Sequence, residues 1–279
     1  GLDTPMALAP MALASGGALA AACAHAGALG LVGGGYGDLA WTQREYRLAL
    51  ELAQGTHRIG CGFITWKLDE DASALDWLLD LPAAQRPRAL MLSFGDPRLH
   101  AARIAAAGVP LICQVQRMEQ VPQAIEAGAA VIVAQGAEAG GHGMNALNGR
   151  ATFTLVPELA DWLAAHAPDT LLLAAGGIAD GRTLAAALVL GADGALVGSI
   201  DLVRIYDLVL QTMTPELSKK LGMPSPPEVI REFETRYDMR LRDDFLAAFG
   251  NEIAIGVMLE PSPASMARVQ DSGAPPAQK

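Results

Sequence analysis

The chain has 279 residues, a length that suits one large domain, two small ones, or the single α/β barrel, which typically takes roughly 250 residues. It is 51% hydrophobic, 18% charged and 5% aromatic, so its apolar mass is Ala, Leu, Val and Gly, the makeup of helices packed on buried parallel strands. That excludes a disordered chain, three cysteines exclude a disulfide scaffold, and a net charge of −10 without any basic run argues against nucleic acid as a partner.

The stretch from Thr4 to Gly37 carries no charged residue. It opens after Asp3 with no basic segment, and Pro10, Ser15, Gly16, Gly17, Gly27 and Gly30 break it up. A membrane span or signal peptide is therefore not expected, and a buried strand, helix, strand unit is.

From there apolar strand-like runs alternate with Ala-rich helical runs, the pattern of repeated βα units. The expected strands are Met6 to Ala9, Leu29 to Val32, Ile59 to Ile64, Ala89 to Ser93, Leu111 to Gln114, Val131 to Ala134, Leu171 to Ala175 and Ala195 to Val197. The expected helices between them are Gly17 to His25, Thr42 to Ala53, Ala72 to Asp80, Arg98 to Ala107, Met118 to Ala127, Pro157 to His166 and Gly181 to Leu190. Gly108, Gly128 and Gly191 stand just past three of these helices, where a left-handed residue ends a helix. Eight such strands predict a closed (β/α)8 TIM barrel over residues 1–199. Residues 200–260 are expected to form a helical extension, with helices at 200–213, 227–237 and 241–249, and 261–279 a Pro- and Ser-containing tail.

The three cysteines, Cys23, Cys61 and Cys113, are widely spaced in apolar surroundings and read as reduced structural thiols of a cytoplasmic protein. No close Cys or His pair and no His and carboxylate cluster stands at metal spacing, so no metal is expected. Hydrolase elbows and the GxxxxGK[ST] loop are also missing.

In a barrel the chemistry sits on loops after the strands. Four of those loops are special here: Ala9, Pro10 and Met11 after the first strand; Gly33 to Tyr36 after the second; Gln135 to Met144 (QGAEAGGHGM) after the sixth; and Gly176 with Gly177 after the seventh. Gly176 and Gly177 before a helix, with Gly198 and Ser199 after the eighth strand, suit a phosphate, since backbone N–H groups and a helix dipole face an anion there; tight βα turns would use the same glycines. Gly140 and Gly141 let a ligand lie on the backbone beside His142, which is either a proton-handling group or a solvent-exposed loop histidine. Gln114, Gln116 and Gln135 are uncharged amides suited to the polar edge of a heterocycle, or to solvent. Asp96 is expected to cap the helix that follows it, while Tyr36, Trp41 and Trp66 either roof a flat ligand or pack on helices. His25, His57, His100 and His166 lie on helices or their ends and are not expected to be catalytic. Together the phosphate cradle, the polar-edged flat pocket and one histidine fit flavin mononucleotide, FMN.

The same loops carry a resemblance. APM at Ala9 to Met11, GLVGGGYG at Gly30 to Gly37, GFITW at Gly62 to Trp66, MLSFGDP at Met91 to Pro97, ICQVQ at Ile112 to Gln116, AQGAEAGGHG at Ala134 to Gly143 and AAGGIADGR at Ala174 to Arg182 resemble the nitronate monooxygenase family, formerly the 2-nitropropane dioxygenases, over about residues 5–199. The resemblance implies that Ala9, Pro10 and Met11 lie beside FMN, that Gln114 and Gln135 bond its ring or ribityl edge, and that Gly140 and Gly141 pass close to it. Gly176, Gly177, Gly198 and Ser199 would hold its phosphate, and His142 would be the active-site base or electrostatic partner. It further implies oxidation of an alkyl nitronate with dioxygen to carbonyl product and nitrite. A homodimer is a separate expectation. The GGH loop is similar also to flavin-dependent enoyl-acyl-carrier-protein reductases and NAD(P)H:quinone reductases, which leaves an NAD(P)H-dependent flavin reductase as the alternative. After Gly198 and Ser199 the chain departs from the family: Ile200 and Asp201 stand where relatives carry Arg and Phe, through divergence or a missing segment.

Overall fold

In the computed structural model the alternating runs become eight strands, β1 (Met6–Leu8), β2 (Gly30–Gly35), β3 (Ile59–Ile64), β4 (Leu90–Ser93), β5 (Leu111–Val115), β6 (Ala129–Gln135), β7 (Leu171–Ala175) and β8 (Gly194–Val197). The helices are α1 (Gly17–His25), α2 (Leu39–Leu52), α3 (Thr65–Leu68), α4 (Ser73–Asp80), α5 (Arg98–Ala106), α6 (Val121–Glu126), α7 (Thr152–His166) and α8 (Gly181–Val189). The structure describes residues 2–140, 142 and 149–198, so the helices expected at 200–213, 227–237 and 241–249 and the tail lie outside the described residues.

All eight strands are parallel and each pairs with its neighbour in sequence, β8 pairing β1 through Met6 with Ala195 and Leu8 with Val197. The last seam is a bridge between Ala7 and Leu29, where Leu8 N–H donates to Leu29 O at 2.9 Å and Leu29 N–H to Met6 O at 3.0 Å. The sheet thus closes on itself, as the strand count predicts.

Closure makes two cores out of the period-two alternation along each strand. Leu31, Met91, Ile112, Val133 and Leu196 point into the barrel and form a cluster that contains no helix residue. Val32, Cys61, Leu90, Leu92 and Cys113 point outward and pack with helix residues such as Tyr46 and Leu75. With both faces covered, β2, β3, β4 and β8 are buried at every residue.

Gly108, Gly128 and Gly191 take positive φ values of +70°, +76° and +100° and end their helices as expected. Elsewhere tertiary contacts move the boundaries. Gly33 to Gly35 belong to β2 rather than to the loop after it, because they pair with Gly62 and Phe63 of β3 across a bulge. The helix expected from Pro157 starts five residues earlier, at Thr152, and holds Pro157 in its interior. The helix expected over Met118 to Ala127 splits into a 3-10 turn at Met118–Gln120 and α6. Close approach places Gly17 at the start of α1: its N–H donates to the Glu45 carboxylate of α2 at 2.9 Å, and a Cβ there would stand 2.3 Å from Glu45 O. No helix among the described residues is long and apolar enough to cross a membrane.

Candidate active site at the mouth of the barrel

The ends of the strands open into a cavity of about 430 Å3. Its floor is apolar, from Met11 after β1, Phe63 and Ile64 of β3, and Ile178 after β7. Ala9, Pro10, Gln114, Gln135, Gly140, His142, Gly176, Gly177 and Gly198, which come from widely separated stretches of the chain, all line it. Gly141 and Ser199 lie outside the described residues.

The amides form a row across β5 and β6. Gln135 Oε1 accepts from Gln114 Nε2 and from Gln116 Nε2, each at 2.7 Å, and Gln116 Nε2 also donates to the His142 carbonyl at 2.9 Å. Ser93 Oγ lies 3.4 Å from Gln114 Oε1. Gln135 is buried, so this mutual pairing satisfies groups that would otherwise be costly to remove from water, and it gives the cavity a polar but uncharged edge. Gln116 thereby ties the end of β5 to the histidine loop.

His142 is exposed at the rim. Its ring centroid stands 5.4 Å from that of Phe94 and 6.0 Å from that of Tyr36, and Tyr36 in turn meets Trp66 edge-on at 6.1 Å. The Tyr36 hydroxyl lies 3.2 Å from His142 Nε2. Phe94 has φ +62°, a left-handed conformation that bulky side chains avoid and that is concentrated at functional sites. Trp41 takes the packing alternative: its indole N–H donates to Gly33 O at 3.0 Å and Arg44 covers its ring.

Gly176 and Gly177 have φ values of +107° and +69°, which only glycine adopts freely. The N–H groups of Gly177 and Gly198 donate to no group among the described residues, and a Cβ on Gly198 would meet nothing nearer than 3.7 Å. The cradle is therefore open and lined by unused donors. The described lining residues include no Lys or Arg, so a phosphate here would be held by backbone N–H groups. The helix dipole contributes less than expected, because Asp180 already caps α8, accepting from Thr183 N at 2.9 Å. A flat apolar floor, an uncharged amide edge and an open glycine cradle suit FMN.

Two residues that the sequence did not single out hold the cradle in place. Glu138 accepts from Thr152 N–H at 3.0 Å, and Thr152 Oγ1 lies 3.2 Å from Ala175 O and 3.0 Å from Gly176 O. They join the loop after β6 to the loop after β7 and fix the early start of α7. The carboxyl of Asp96 accepts from Arg98 N–H at 3.0 Å and from its guanidinium, contacts that keep it below the usual carboxylate range and leave it at the start of α5.

Three other histidines make contacts outside the cavity. Buried His100 lies between Asp69 Oδ1, 2.8 Å from Nε2, and Arg103 Nη2, 2.6 Å from Nδ1, while His25 and His166 bond backbone carbonyls. The three cysteines are free and buried, and burial pushes each thiol up to about 12. No group of three or more potential metal ligands occurs among the described residues.

Fold and site together define a (β/α)8 barrel with a cavity among the loops after its strands. Residues 69–204 match the family model described as nitronate monooxygenase. A nitronate monooxygenase from Neurospora crassa is 31% identical over 76% of this chain and 62% of its own length, and one from Paraburkholderia phytofirmans is 32% identical over 71% and 63%. Among solved structures, nitroalkane oxidase from Streptomyces ansochromogenes superposes with a TM-score of 0.60 at 26% identity, covering 72% of this chain and 66% of that one. By these comparisons the chain is similar to nitronate monooxygenases. It spans less than two thirds of the length of these curated relatives.

Proposed function

We propose that this protein is an FMN-dependent oxidoreductase that oxidises alkyl nitronates with dioxygen to a carbonyl product and nitrite. The observation that carries the proposal is the convergence, in one cavity, of the open glycine cradle, the amide row and His142. Bound there, the flavin would supply the electron acceptor that no side chain of the site provides. Ala9, Pro10 and Met11 would bound it on one side, Gln114 and Gln135 would meet its polar edge, and Gly140 would pass close to it. Gly176, Gly177 and Gly198 would hold the phosphate, with Gly141 and Ser199 as further contacts.

The residues divide the remaining work. The apolar floor keeps water from the reacting region, which strengthens every polar contact made there. His142, aimed across the cavity mouth, either takes a proton from the substrate carbon or, protonated, offsets the negative charge of the nitronate. With no Lys or Arg among the described lining residues, it is the group available for that role.

The test is the visible absorbance of the purified flavoprotein, held without oxygen and without NAD(P)H, before and after an alkyl nitronate is added. Loss of flavin absorbance is the expected result, and His142→Asn should keep the flavin while slowing that loss about 100-fold or more. A protein that responds to NAD(P)H alone would instead be the flavin reductase.

A further inference from the structure

We propose that Tyr36 is a positioning residue that fixes the tautomer of His142: its hydroxyl donates to Nε2, leaving Nδ1 as the protonated ring nitrogen offered to the cavity. The inference rests on the reading of His142 as the group that meets substrate, and it adds a role for a residue in the loop after a different strand.

A neutral imidazole has one N–H and one lone pair, and the hydrogen bond made by one nitrogen decides which is which. The Tyr36 hydroxyl, 3.2 Å from Nε2, stands where it can donate its proton to that nitrogen. Nδ1 has no hydrogen-bond partner among the described residues. Two further contacts hold the pair. Phe94 lies against the imidazole at 5.4 Å and is kept there by its left-handed backbone, and Trp66 meets the Tyr36 ring edge-on at 6.1 Å. The His142 carbonyl accepts from Gln116, so the backbone is anchored while the tyrosine sets the ring. Tyr36 and Trp66 are 51% and 39% exposed, more than packing alone asks of aromatic rings, and the hydroxyl's partner is the histidine.

With the proton on Nδ1, His142 presents an N–H to an anion such as a nitronate without first having to become charged. Losing the Tyr36 hydroxyl would release the ring to rotate and to exchange tautomers. Substrate would still enter the same cavity, so the loss should fall on turnover rather than on binding.

The experiment compares the wild-type holoenzyme with Tyr36→Phe, which keeps the ring that packs on Trp66 and His142. The 15N shifts of the histidine side chains, with His142 identified by its absence in His142→Asn, report the tautomer directly and need no turnover. The wild type should show Nδ1 protonated and Nε2 as the bare nitrogen, and Tyr36→Phe should show a mixture of the two tautomers together with a fall in kcat of about tenfold or more at a KM changed less than about threefold. Identical His142 shifts in the two proteins would overturn the proposal, as would a tautomer change that leaves kcat untouched. If the tautomer responds to Tyr36→Phe while the wild type leaves nitronate unoxidised, the pairing stands and the proposed function fails.

Discussion

At the scale of single residues, the site is governed by who satisfies whom. Gln135 has the most to do, because its one carbonyl oxygen serves two donors, Gln114 of β5 and Gln116 just past it, while its own side chain is out of solvent. Replacing it, Gln135→Leu, strands the amide groups of Gln114 and Gln116. The expected cost is about 1–3 kcal/mol, read from the denaturation midpoint of the flavin-free protein, together with weaker FMN uptake. An unchanged midpoint would show that solvent satisfies those amides and that the row is not a structural unit. Much of this site was legible in the sequence: His142, the glutamines and the glycines stand out by residue type at strand ends. The Tyr36 to His142 contact was not, because 106 residues separate the two and nothing local to either one reveals it. Glu138 and Thr152 escaped for the same reason, a capping contact that spans 14 residues.

At the scale of elements, close packing between neighbouring helices sets positions that propensity does not. The start of α1 sits so near α2 that the Glu45 carboxylate serves as its cap from 28 residues away. Gly17→Ala would place a methyl 2.3 Å from Glu45 O, and overpacking of that kind costs about 1–3 kcal/mol. Gly181→Ala is the natural comparison. It lies in the first turn of α8 with nothing within 4 Å of its added Cβ, so it should be neutral or stabilising by up to about 1 kcal/mol. Thermal or urea unfolding of the two variants should move in opposite directions, and equal shifts would refute the packing argument. The same logic extends to α3, the short helix that carries Trp66. It ends at Asp69, which buried His100 of α5 holds at 2.8 Å, so the aromatic rim of the site is tied to the outer helical ring. Apolar periodicity could not announce α3, which is four residues long and follows β3 without a loop.

At the scale of the whole molecule, closure buries groups that ionise only when the chain opens. Cys23, Cys61 and Cys113 have an ordinary thiol value of 9.0 that burial raises to about 12. The unfolded chain then releases protons between those two values while the folded chain keeps them, so stability is intact below pH 9 and falls as pH rises above it. Each thiol contributes a slope of about 1.4 kcal/mol per pH unit in that window. Cys113→Ala should flatten the decline measured by urea titration from pH 9 upward, and a decline of the same slope would exclude a contribution from that thiol. The neutral buried thiols are likewise expected to resist alkylation at pH 8 until the chain is unfolded.

The amino-acid sequence by itself determined the eight βα units, the two apolar faces of each strand and the loops that carry glycine, glutamine and histidine. Those properties are local: they follow from alternation, helix stop signals and residue type over a few neighbouring positions. Tertiary structure alone decided the seam between Ala7 and Leu29, the extension of β2 through Gly33 to Gly35, the early start of α7 and the pairing of Tyr36 with His142. Each of these depends on a partner brought close by barrel closure, and a contact between distant segments leaves no period, cap or propensity in the chain from which to read it.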